Sequence, residues 1–66
     1  MRFEDVKLNG KYRVTNNETE HGFDVGDVVQ IIAIEPTEDG EHLICAKSWT
    51  KPWRGEWYIT PEEMES

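Results

Sequence analysis

In Lys11-Tyr12-Arg13-Val14-Thr15 apolar and polar residues alternate, which is the period of a strand covered on one side. Asn16 to Gly22 is polar and loop-like, and Phe23 and Val25 bring apolar side chains back. Gly26-Asp27 has turn chemistry, and Val28-Val29-Gln30-Ile31-Ile32-Ala33-Ile34 follows it as the longest apolar run. Its β-branched residues suit a pleated sheet. Both of its faces are apolar, with Val29, Ile31 and Ala33 opposed to Val28, Ile32 and Ile34. One set is expected to fill the interior, and the other to be covered by the chain ends or by a partner.

The remaining punctuation divides the chain into further short strands. Pro36 lacks a ladder donor and ends the second strand, and Thr37-Glu38-Asp39-Gly40 makes the connection. Glu41 to Ser48 returns as a third strand, Trp49 to Gly55 is a second connection, and Glu56-Trp57-Tyr58-Ile59 is a fourth strand. Before the first strand, Phe3 to Leu8 is a lead-in turn and Asn9-Gly10 a turn signal. In the tail, Thr60 can cap, Pro61 suits a first helical position, and Glu63 stands where a capping box needs it. The chain left after it allows only one turn of 3₁₀ or α-helix. No repeat or linker interrupts residues 1–66, which form one domain.

These elements define an all-β domain, and their order resembles an SH3-like barrel of about five antiparallel strands from Lys11 to Met64. In that family a long first loop ends in a Gly-Asp turn before a β-branched strand, as in Gly26-Asp27-Val28-Val29-Gln30-Ile31-Ile32. A 3₁₀ turn precedes the last strand, and Thr60-Pro61-Glu62-Glu63-Met64 is similar to it. The family's peptide-binding residues do not carry over. Lys11-Tyr12-Arg13-Val14-Thr15 stands in place of the Ala-Leu-Tyr-Asp-Tyr motif, and Glu63 in place of the late tyrosine. The resemblance thus implies a fold without a proline-rich ligand. Gly10-Lys11-Tyr12-Arg13-Val14 and Trp57-Tyr58-Ile59-Thr60 also resemble the punctuation of small uncharacterised proteins encoded by phages of Gram-positive hosts. That likeness implies no activity.

Composition narrows the partners. The net charge of -7, from 14 acidic and 7 basic residues, opposes binding to phosphate backbones and favours solubility. A domain this small has thin stability, and the single Cys45 gives it no internal disulfide. Within Leu43-Ile44-Cys45-Ala46 that thiol is expected to be buried and inert. A reducing, cytoplasmic location fits. No stretch has the length of a signal-peptide core or a membrane span.

The candidate contact surface is the connection after the third strand. Trp49, Trp53 and Trp57 recur every four residues, with Lys47, Lys51, Pro52 and Arg54 beside or between them. Tryptophan and arginine dominate binding hot spots. Two of the three tryptophans are expected to be mainly structural, leaving Trp53 as the exposed anchor with Trp49, Lys51 and Arg54 around it. The expected function is a non-catalytic protein-interaction module, with a phage-encoded modulator of a host protein as one form of it. Two alternatives stand beside it. One is an acidic nucleic-acid mimic using Glu18, Glu20, Asp24, Glu35, Glu38, Asp39 and Glu41; the other is stacking of single-stranded nucleic acid on the Trp/Lys/Arg loop.

Other chemistry is not indicated. His21 and His42 have no ligand-like spacing and are expected at the surface beside acids, so neither metal nor cofactor is expected. The carboxylate pairs fall in loops, where water keeps them ionised. Phosphate loops, nucleophile elbows and hydride-cofactor fingerprints do not occur in the sequence. Two-sided apolarity in Val28 to Ile34 leaves a monomer and a weak homodimer both open.

Overall fold

Each apolar stretch of the sequence becomes a strand in the computed structural model, which describes residues 1–66. The strands are β1 (Lys11–Val14), β2 (Val28–Pro36), β3 (His42–Ser48), β4 (Glu56–Ile59) and β5 (Met64–Glu65). They form one antiparallel sheet in the order β4-β3-β2-β1-β5. The only helical pieces are 3₁₀ turns at Phe3–Asp5, Pro52–Arg54 and Pro61–Glu63. The third carries the capping box read from Thr60 and Glu63. No helix is long and apolar enough to cross a membrane.

The core holds Tyr12 and Val14 of β1, Val29 and Ile31 of β2, Ile44 and Ala46 of β3, Ile59 of β4 and Met64 of β5, with Val6 and Phe23 from outside the sheet. One detail departs from the strict alternation expected of β2. Ile31 faces Ala46 and Ala33 faces Cys45, so Ile32 is an extra residue and the ladder bulges there. The bulge shifts the phase of the strand. Ile34, opposite Ile44, packs on the core, while Ala33 moves to the other side. A bulge cannot be seen in a period-two pattern because both faces of this run are apolar.

The N-terminal residues cover the inner side. Met1 and Phe3 pack on the core, and the Tyr12 hydroxyl accepts the Lys7 N–H at 2.8 Å and donates to the Asp5 carbonyl at 3.2 Å. Val28, Ile32 and Ala33 stay outside the core and half-exposed. Cys45 shares that outer side, because the pleat gives the inward positions to Ile44 and Ala46. It is therefore half-buried on the outer side of the sheet and not in the core as expected.

The long loop after β1 is fastened by a buried carboxylate. Glu63 is fully buried. Its Oε1 accepts the Thr19 hydroxyl at 2.7 Å, the Thr60 N–H at 3.0 Å and the Thr60 hydroxyl at 2.9 Å. Its Oε2 accepts the Thr19 N–H at 3.0 Å. His21 lies beside it, with Nε2 3.5 Å from Glu63 Oε2. That nitrogen donates to the Asn16 carbonyl at 2.8 Å, while Nδ1 accepts the Phe23 N–H at 3.2 Å. Because Nδ1 accepts an N–H, Nε2 is the nitrogen free to donate. His21 is thus a buried loop-closing residue and not the surface histidine expected, and Glu63 is not left in water as expected of loop carboxylates.

Burial alone would push the Glu63 pKa up, and the bonds donated by Thr19 and Thr60 outweigh it and hold the carboxyl below its ordinary value. The stabilisation this gives is complete above the unfolded carboxylate value of about 4.3, and is lost as pH falls through the lower folded value. Glu63→Gln sets an amide NH₂ against one of the N–H or hydroxyl donors around the carboxylate. Urea unfolding at neutral pH should show a loss of about 1–3 kcal/mol. The variant's stability should also fall less steeply than the wild type's on acidification.

Candidate functional site

The connection from β3 to β4 has little freedom. Ser48 Oγ accepts the Lys51 N–H at 3.0 Å, Pro52 opens the 3₁₀ turn, and Gly55 leaves it at a φ of 81°, which side chains resist. Lys51 Nζ lies 3.0 Å from Asp24 Oδ2 and 3.1 Å from Asp27 Oδ1. Arg54 Nη2 lies 2.9 Å from the same Asp24 oxygen. Asp27 Oδ2 accepts the Asp24 N–H at 3.1 Å, so the two carboxylates belong to one turn. Two cations three residues apart on one loop therefore meet two acids three residues apart on another. The Lys51 hydrogen bond and then the Arg54 charge hold the Asp24 carboxyl below its ordinary value, and the hydrogen bonds to Asp24 and Asp27 raise the Lys51 pKa.

The tryptophans occupy three different settings. Trp57 donates from Nε1 to the Arg54 carbonyl at 2.7 Å, and its ring lies where a Cβ at Gly22 would be. It covers the long loop at the edge of the sheet and remains 43% exposed. Trp49 is 52% exposed, with Lys11 Nζ over its ring at 3.7 Å, a cation–π contact. Trp53 is 75% exposed within the 3₁₀ turn. None of the three joins the core, which the aliphatic side chains of the five strands fill instead. The expectation that two of them are mainly structural holds only in that Trp57 buttresses a loop and Trp49 carries a lysine.

Lys51 and Arg54 are thus brought together, facing Asp24 and Asp27, and Trp53 stands between them in sequence with its ring in solvent. Trp49 belongs to a different neighbourhood, with Lys11. The positive charges of Lys51 and Arg54 are neutralised by carboxylates of the same chain. Asp24, Asp27 and Gly22 are participants that the sequence reading did not assign to this surface. The matched spacing of Asp24/Asp27 and Lys51/Arg54 is the signal that points to them; Gly22 gives none, because its role is to leave room for an indole ring.

Elsewhere, His42 stacks on Phe3 with ring centroids 4.4 Å apart. A concavity of about 340 Å³ opens beside this pair, over Ile44, Ile59 and Pro61, with Glu41 and Glu62 also lining it. It shares no residue with the tryptophan loop. No group of three His, Cys, Asp or Glu side chains is placed to hold a metal ion. Burial first, then the charges of Glu56 and Glu35, push the Cys45 thiol up, which disfavours the thiolate. Comparison of the chain with protein-family models, curated proteins and solved structures finds no match.

Asp24 receives both cations, so Asp24→Asn should loosen the β3–β4 connection without unfolding the sheet. The Arg54 and Gly55 amides, which donate to Lys51 and Pro52, should exchange hydrogen several-fold faster in the variant, while amides of β2 and β3 keep their rates.

Proposed function

We propose that this protein is a non-catalytic protein-interaction module whose contact surface is the β3–β4 connection, with Trp53 as its anchor. The carrying observation is the 75% exposure of Trp53 on a turn tied down by Lys51, Arg54 and their two aspartates. A large aromatic side chain exposed to water offers much area for burial in a partner pocket. Holding its turn in place before contact lowers the ordering cost of association. Arg54 keeps further N–H donors beyond the one spent on Asp24, and these serve a carboxylate or carbonyl on the partner. Lys51 completes the surface, and Trp49 stands apart from it beside Lys11.

Neutralisation of Lys51 and Arg54 weighs against single-stranded nucleic acid as the ligand, since phosphate contacts need cations free to release counterions. The strand order, with a 3₁₀ turn before the last strand, supports an SH3-like reading of the fold. A modulator of a host protein is the form such a module takes if the likeness to phage proteins extends to its role. The location is then the cytoplasm.

The test compares wild type with Trp53→Ala as bait for proteins of the host cell, at low and high ionic strength. Removing an exposed ring should change stability by less than about 0.5 kcal/mol, so the two baits should melt together. A protein held by the wild type at both ionic strengths and lost from the variant is the expected result. Equal capture by both baits overturns the proposal. Capture that is indifferent to Trp53 but vanishes in salt assigns binding to the acidic surface.

A further inference from the structure

The outer side of β2, β3 and β4 carries a second surface, independent of Trp53. Its middle row is Ala33, Cys45 and Tyr58, which the register places side by side across three strands. One row toward β4's start stand Gln30, Lys47 and Glu56; one row the other way stand Glu35 and Leu43. Ile32 and Val28 extend the apolar area along β2, outside the core and half-exposed. Leu43 and Tyr58 are exposed. The N-terminal residues do not supply the cover this side needs, because Met1 and Phe3 pack on the core side.

We infer that the outer face of β2–β4 is a self-association surface that seats a second copy of this chain, related by a half-turn about the Ala33–Cys45–Tyr58 row. The charges select this occupant and this axis. Lys47 and Glu35 each lack an ion-pair partner within the chain. A half-turn about the middle row exchanges the two flanking rows. Lys47 then lies over the partner's Leu43, within reach of the partner's Glu35, and the pair occurs twice by symmetry. Turning about the strand direction instead would stack Lys47 on its own copy, which like-charge repulsion opposes. The favoured axis also brings Cys45 against the partner's Cys45, and Tyr58 against the partner's Tyr58.

Size gives a physical reason for the pairing. A core of ten side chains is small, and domains of this length gain stability from oligomerisation when they lack disulfides and metal. A standard interface covers about 800 Å² per partner, roughly a fifth of this chain's 4384 Å².

Sedimentation equilibrium over a concentration series tests the inference with wild type, Lys47→Glu, Glu35→Lys and the double charge swap. All the substituted side chains are exposed, and circular dichroism checks that each variant keeps its fold. Wild type should show a monomer–dimer equilibrium. Each single swap should raise the dissociation constant by roughly ten-fold or more, and the double swap should restore it. Mild diamide treatment should link wild type through Cys45 faster than either single variant. A monomer at every concentration overturns the inference. So does a dimer indifferent to the single swaps, one that the double swap fails to restore, or one lost in Trp53→Ala.

Discussion

The carboxylate of Glu63 is the contact on which the arrangement of the loops depends. A buried charge is costly unless its lone pairs are filled, and here two threonines from opposite ends of the chain fill them. Thr60 belongs to the same turn as Glu63, whereas Thr19 lies 44 residues before Glu63. Fixing Thr19 draws the loop after β1 onto the C-terminal turn, where His21 closes it through Asn16 and Phe23. Phe23 then enters the core. The residues that follow are positioned by that entry.

From there the dependence runs outward. Asp24 and Asp27 leave the loop in one turn, and they take up Lys51 and Arg54 of the β3–β4 connection. Trp57 closes over Gly22 and bonds the Arg54 carbonyl, a second tie between the same two segments. The ion pairs on the exposed Asp24 add little stability taken singly, whereas Asp27 is buried beneath Lys51. The consequence of these pairs is geometric: they turn a surface loop into a defined platform and leave one indole in solvent.

The sheet itself is asymmetric in a different way. Aliphatic side chains close the inner face, and the bulge at Ile32 re-aims the second half of β2 so that Ile34 packs inward and Ala33 outward. The acidic balance of the chain keeps much of its surface well solvated. The outer face of β2–β4 departs from that pattern, because its middle row is apolar and its charges are few and of both signs.

Local sequence determined the elements. Period-two alternation marked β1, the Val/Ile run marked β2, and Pro36, Gly40 and Gly55 marked the ends of connections, because backbone preferences act over a few residues. Thr60, Pro61 and Glu63 likewise announced their turn, and the exposed Trp53 was legible from its place between Pro52 and Arg54. What the chain brings together across its length was decided only by the tertiary structure. Glu63 looks like a cap in sequence and is also the anchor for Thr19; His21 looks like a surface residue and is buried; Lys51 and Arg54 look free and are paired. Burial and pairing depend on which distant segments meet, and with both faces of β2 apolar, no local pattern stated where the bulge would switch one face for the other.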